Sequence, residues 1–425
     1  MAGHWYARWM YAWETRLTTR DENRVVRPLE WGFECIAPFL RSLGFAAPLP
    51  PPDSLLDNAA AEAAMARINQ LLIENSREFF GYRRPADFRL EERHPQLFPT
   101  NVRPETLARD AKLRRQAADG SLEPAAFLRF TSPERTPFTD NDLVNARWYP
   151  APAHRDPSRP KQAIVVLPQW NADGFSHNAL CAAFSRMGVS ALRLSMPYHD
   201  IRRPEELERS DYAVSANIGR TLSACRQAVV DIRCCIDWLE EQGYEHFGVL
   251  GTSLGSCYAF LASAHDARIR VNAFNHASTA FGDVVWTGQS TRHIRQAVEQ
   301  AGLTQERLRA VWSAISPVSY WDKFAGQESG GPQKRVLLVY ADYDLTFPRE
   351  YSLQVVEAFR RHGVNFEPRV LPCGHYTTGE FPFSYLDGWH LGSFVHRAFK
   401  ALREEKAAAL RSEPTGEEAI EEESA

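Results

Sequence analysis

The chain has 425 residues, a net charge of -4 and an isoelectric point near 6.4. That balance offers no basic field for nucleic acid, and no stretch approaches the roughly 20 consecutive apolar residues of a transmembrane helix. Seven cysteines without a C-x-x-C spacing fit neither a disulfide framework nor a zinc site. No metal and no cofactor are expected. The first residues are interrupted by Arg8, Glu14 and Arg16 and lack the apolar core of a secretory signal. A cytoplasmic location is expected.

Residues 1–120 read as a helical N-terminal extension. Trp5, Trp9 and Trp13 recur at four-residue spacing, and an alanine-rich run from Asn58 to Phe80 follows the break at Pro50-Pro51-Pro52. The tryptophan stripe predicts a helix packed onto the body. Peripheral contact with a membrane is the alternative, disfavoured because only three Arg side chains flank the stripe in the first twenty residues.

Residues 121–404 read as one domain that alternates strand and helix. Phe127–Phe130 and Val144–Tyr149 are predicted paired strands, and Ala163–Leu167 is a strand leading into the loop Pro168–Gly174. From Arg220 to Gln242, Leu222, Cys225, Val229, Ile232, Ile236 and Leu239 recur on one helical face, and Gly243 ends the helix. The strand Phe247–Leu250 then runs into Gly251-Thr252-Ser253-Leu254-Gly255 and a small-residue helix reaching about His265. Glycine two positions to either side of a serine lets the chain turn sharply from strand to helix and leaves the hydroxyl exposed at the sheet edge. A cap-like insert occupies about 276–331 and carries Phe281, Trp286, Trp312, Tyr320, Trp321 and Phe324.

Two later strand ends complete a pattern. Val336–Tyr340 runs into Ala341-Asp342-Tyr343-Asp344, followed by Phe347-Pro348, and Phe366–Leu371 runs into Pro372-Cys373-Gly374-His375. A serine hydroxyl is a poor nucleophile near neutral pH and needs a histidine to take its proton and an acid to orient that histidine. The expected roles are Ser253 as nucleophile, His375 as base and Asp344 as orienting acid, with Asp342 and Asp283 as competing acids. The oxyanion that forms needs backbone donors, expected from Leu254 and from Trp170 or its neighbour Gln169.

The order Ser, Asp, His on successive strand ends resembles the α/β-hydrolase superfamily over roughly Phe127–Leu402. Within it, Met196-Pro197-Tyr198-His199-Asp200, Arg202-Arg203-Pro204 and Phe281–Trp286 look similar to the α/β-hydrolase-domain-containing protein 18 family and to bacterial esterase or dienelactone-hydrolase-like proteins. The resemblance implies a doubly wound, mostly parallel sheet and hydrolysis of an ester or thioester, with a small-molecule or lipid substrate. Acyl transfer on the same triad and a non-catalytic binding protein are the alternatives. Gln169, Trp286 and Trp312 are expected to bind the substrate, the two tryptophans through an apolar pocket; that they seal the insert against the core is the alternative. His199, Asp200, Arg202 and Arg203 read either as an anion site or as a structural ion-pair cluster, the commoner use. Residues 405–425 are an acidic tail expected to be disordered, since 412–425 alone hold six glutamates and no Lys or Arg.

Overall fold

The computed structural model describes residues 2–20, 23–44, 57–95, 104–156, 158–326 and 332–412. Nine strands form one sheet: β1 (Arg89–Arg93), β2 (Ala125–Thr131), β3 (Leu143–Tyr149), β4 (Lys161–Leu167), β5 (Ser190–Leu194), β6 (Tyr244–Thr252), β7 (Ile269–Asn275), β8 (Arg335–Ala341) and β9 (Asn365–Leu371). Their order is β1-β2-β3-β5-β4-β6-β7-β8-β9. The first four pair antiparallel, and the run from β5 to β9 is parallel.

The apolar run Ala163-Ile164-Val165-Val166-Leu167 explains why β4 sits centrally. A parallel strand covered on both faces has no polar side to offer, so β-branched residues fill it throughout. Ala163, Val165 and Leu167 join one apolar cluster, while Ile164 and Val166 join the other. The first face is covered by the long helix Ile218–Glu241 and by the helix Leu254–Ala264; Cys225 and Cys235 are buried there as thiols. The second is covered by the C-terminal helix Phe383–Ser412, with Met10 of the N-terminal helix Ala2–Thr19 inserted beside it. A helix layer on each face of a parallel sheet leaves the strands' carboxyl ends as the place where loops can gather chemistry.

The region before residue 120 is mainly helical, with one addition. Strand β1 lies inside it and extends the sheet, pairing Arg89–Arg93 with Ala125–Arg129. Its sequence Arg-Leu-Glu-Glu-Arg carries little apolar alternation because it is an exposed edge strand, and edge strands tolerate charge. Residues 30–32 are bound to the start of the long helix through Glu30 N–H to Ala216 O (3.1 Å) and Gly219 N–H to Trp31 O (2.9 Å). A side chain at Gly219 would collide with the Gly32 carbonyl, so glycine there permits the approach. The insert after β7 is built from short helices, including Phe281–Thr287, Arg292–Gln300 and Gln305–Val311. The C-terminal helix continues past residue 404 to Ser412, and the acidic stretch 413–425 lies outside the described residues.

Candidate active site

Ser253 lies between β6 and the helix Leu254–Ala264, which it caps, with φ 57° and ψ -118°. Side chains bearing a Cβ rarely adopt positive φ, and the cost of order 1–3 kcal/mol persists only where the surroundings hold it. Here Ser253 N–H is fixed by Asn275 O at 2.7 Å on the neighbouring strand β7. Both flanking glycines are required sterically. A Cβ on Gly251 would meet the backbone of Gly255 and Ser256, and a Cβ on Gly255 would lie 2.6 Å from Leu167 O and 2.7 Å from Pro168 O. The serine motif is thus wedged between β6 and the end of β4.

Asp344 lies three residues beyond β8 and is buried. Its Oδ1 accepts the backbone N–H groups of Thr346 (2.7 Å) and Phe347 (2.6 Å), which fixes the carboxylate plane. Its Oδ2 is 3.0 Å from His375 Nδ1 and 2.9 Å from His276 Nδ1. Phe347 stacks on the His375 ring with centroids 5.2 Å apart and planes 4° from parallel. Asp342, the competing acid, pairs with Arg349 at 3.1 Å, and Asp283 pairs with Arg309. Of the three acids considered, Asp344 alone meets His375.

Burial pushes the Asp344 carboxyl up, but the charge of His375 and hydrogen bonds from His276 and His375 outweigh it and hold the acid well below its usual range. Burial pushes His375 down, yet the charge and hydrogen bond of Asp344 and the charge of Glu14 raise it overall. His276 moves the other way: burial and the charge on His375 lower it, against the pull of Asp344. Of the two imidazoles, His375 therefore takes a proton more readily. Among the described residues its Nε2 makes no hydrogen bond, and none joins the ring to the Ser253 hydroxyl.

Sequence reasoning did not single out His276 or Glu14. His276 immediately follows β7, and its Nε2 lies 3.2 Å from Thr378 Oγ1, so it braces the His375 loop as well as Asp344. Glu14 comes from the N-terminal helix and is fully buried. Its carboxylate accepts Tyr376 N–H at 2.8 Å, Thr377 N–H at 3.0 Å and Thr377 Oγ1–H at 3.1 Å. A position following a strand end was the available signal for His276. Nothing local distinguishes Glu14.

Two imidazole nitrogens and a carboxylate in His276, Asp344 and His375 lie within 4.8 Å of one another, a donor set that a metal ion can use. In this geometry both Nδ1 atoms instead stand at hydrogen-bond distance from one oxygen. A metal at about 2.0–2.2 Å from each ligand would replace both hydrogen bonds.

A mostly apolar cavity opens over Ser253 and Leu254. Trp170, Phe281, Val284, Val285 and Phe347 are among its walls. Leu254 is the first residue of its helix, where backbone N–H groups have no intrahelical acceptor. Trp170 borders this cavity, donates Nε1–H to Ser210 O (3.0 Å) and stacks on His293. The other expected binding residues lie elsewhere. Trp312 is fully buried, with Nε1–H bonded to Ile218 O (3.2 Å) and its ring edge-on to Phe281, so it supports the wall from behind. Trp286 packs under Arg295, and the Gln169 carbonyl closes a turn to Ala172 N–H; neither belongs to the lining. The helical turn of Phe281–Thr287 explains the exchange: Phe281, Val284 and Val285 share the inward face and Trp286 falls outside it.

The segment around His199 is structural. Arg202 is fully buried against Asp231 (2.8 Å), and Arg193 pairs with Asp200 (2.5 Å). His199 Nε2 accepts Asn171 N–H at 3.1 Å, which shapes the loop carrying Trp170.

The sheet, the helix layers and the elbow at β6 define the α/β-hydrolase fold. The solved structures that share it include an acetyl xylan esterase from Paenibacillus sp. R4, 12% identical with a TM-score of 0.51 over 76% of this chain and 93% of that one. They also include the acetyl xylan esterase 1 of Thermoanaerobacterium sp. JW/SL YS485 (12% identity, TM-score 0.47, 80% and 93% coverage) and the Pyrococcus horikoshii acylaminoacyl peptidase (11%, 0.47, 67% and 46%). The chain therefore spans less than half the length of that peptidase. At such identities the likeness is one of fold. No protein-family model and no curated protein sequence matches the chain, and the narrower resemblance to the α/β-hydrolase-domain-containing protein 18 family has no counterpart among these structures.

Proposed function

We propose that this protein is a serine hydrolase that cleaves a carboxylic ester or thioester through an acyl-enzyme. The observations that carry the reading are a serine held at φ 57° after β6 and, after β9 of the same sheet, a histidine whose Nδ1 is bound, at 3.0 Å, to a buried, doubly anchored carboxylate. Ser253 Oγ attacks the acyl carbon while His375 Nε2 takes its proton, and Asp344 keeps Nδ1 protonated and stabilises the imidazolium. Collapse of the tetrahedral intermediate breaks the ester bond as His375 returns the proton to the leaving oxygen or sulfur. Water then repeats the cycle on the acyl-serine. The backbone N–H groups of Leu254 and Trp170 are assigned to the oxyanion.

The cavity walls favour an apolar acyl group, because Phe281, Val284, Val285 and Phe347 offer a growing chain contact without hydrogen-bond partners. The test is a fluorophosphonate probe on the purified protein followed by a panel of p-nitrophenyl esters of rising chain length. Labelling of wild type and its loss in Ser253→Ala support the reading. An unlabelled wild type that turns over no ester overturns it. Product analysis with an added alcohol separates hydrolysis from acyl transfer.

A further inference from the structure

The tryptophan stripe predicted to pack onto the body does so only at Trp13. Trp5 and Trp9 are 58% and 47% exposed. They do not stand alone: Trp9 contacts Trp13 (ring centroids 5.1 Å), and Trp13 contacts Phe383 (6.3 Å) at the start of the C-terminal helix. From that helix and the residues just before it, Phe381 (76%), Tyr385 (74%) and Trp389 (71%) project outward at four-residue spacing. Two exposed aromatic rows thus stand on the two elements, linked beneath by the contact of Trp13 with the buried Phe383. Large exposed apolar patches on soluble folds mark interaction sites.

The charges on the same segments are one-sided. Residues 2–19 contain a single acid, Glu14, and residues 381–397 contain a single acid, Asp387. Both are turned inward: Glu14 holds the Tyr376–Thr377 backbone, and Asp387 accepts Asn275 Nδ2–H at 2.8 Å. Arg8 and Arg16 on the N-terminal helix are exposed, and Arg16 shares the helical face of Trp5 and Trp9. In a chain whose acidic residues outnumber its basic ones, 53 to 49, the outward Arg8 and Arg16 and the inward acids match these segments to a negative surface.

We infer that these two rows dock on an anionic phospholipid bilayer, the reading disfavoured on sequence for its few basic residues, because five aromatic side chains stand exposed beside them. The composition selects that occupant. Trp and Tyr have an apolar body and a polar tip and settle at the headgroup level, while Arg extends its guanidinium to lipid phosphates. No spanning helix is involved; among the described residues, none is long and apolar enough to cross a membrane. The two elements also flank the His375 loop, through Glu14 on one side and the start of the C-terminal helix on the other. Docking therefore sets that edge of the sheet at the lipid surface. The inference stands on the surface alone and holds whatever reaction Ser253 performs.

The experiment is co-sedimentation of the full chain with phosphatidylcholine vesicles, with and without phosphatidylglycerol. Wild type is expected to sediment with the anionic vesicles, less with the neutral ones, and less as salt rises. Trp5→Ser/Trp9→Ser/Trp389→Ser should weaken binding about tenfold or more while leaving turnover of a water-soluble ester unchanged. Should the triple variant fold poorly, the single Trp389→Ser and quenching of wild-type tryptophan fluorescence by bromolipid vesicles read the same contact. Absence of binding to either vesicle overturns the proposal. So does binding that ignores these substitutions, or a concentration-dependent dimer abolished by them in a protein that leaves vesicles alone.

Discussion

Glu14 and Thr377 are 363 positions apart in sequence, yet the Glu14 carboxylate accepts both the backbone N–H and the hydroxyl of Thr377. The loop carrying His375 is therefore held from two directions. Asp344 fixes the imidazole at Nδ1, and Glu14 fixes the backbone immediately after it.

This bond has a consequence for pH dependence. The groups facing His375 are Asp344 after β8, His276 after β7 and Glu14 on the N-terminal helix. An ionised Glu14 favours the imidazolium, whereas catalysis requires the neutral base in the free enzyme. Glu14→Gln removes a charge that raises His375, so the acidic limb of the kcat/KM profile should move to lower pH. Measured with a neutral ester, an unmoved limb accompanied only by a lower Tm would assign Glu14 to structure alone.

Ser253→Ala should lower kcat on the order of 10⁶-fold, the scale found when a triad nucleophile is removed. Steady-state hydrolysis of a p-nitrophenyl ester reads it directly. Retention of most of the activity would remove Ser253 from the mechanism.

The two neighbouring acids should separate cleanly. Asp344→Asn leaves the size unchanged but stabilises the wrong histidine tautomer, and turnover should fall by roughly 10⁴. Asp342→Asn disturbs only a partly exposed pair with Arg349 and should cost little, since such pairs contribute about 0–1 kcal/mol. Comparable losses in the two variants would show that the carboxylate beside His375 is not the orienting acid.

The strand-end positions of Ser253, Asp344 and His375 are legible because each depends on a local pattern: an apolar strand followed by a turn whose residue types are sterically or chemically constrained. Ser253, Asp344 and His375 needed no knowledge of distant contacts. Glu14 did, since a lone acid in an aromatic helix has no local signature of a partner more than 360 residues away. The tryptophan spacing likewise defines a helical face without saying what covers it, which is why Trp13 packs while Trp5 and Trp9 do not. β1 escaped because an exposed edge strand has no apolar alternation to display. Trp312 takes the core-sealing alternative rather than the pocket, and sequence does not choose between them: burial behind a cavity wall and exposure to the cavity have the same composition.

That distinction yields the last prediction. Val284 is half-buried and lines the cavity over Ser253, whereas Trp312 is fully buried behind Phe281 and bonded to Ile218 O. Val284→Phe fills volume beside the nucleophile without removing a core contact. It should shift preference among p-nitrophenyl esters toward short acyl chains by roughly 10- to 200-fold, corresponding to about 1–3 kcal/mol for a methylene-scale misfit in an apolar pocket. Fluorophosphonate labelling should persist. Trp312→Ala removes a large side chain from a packed site and should cost about 3–5 kcal/mol of stability, read as a lower midpoint in urea, with chain-length preference changed far less. If Val284→Phe instead lowers turnover equally at every chain length, the acyl group lies outside this cavity and the apolar-substrate reading fails with it.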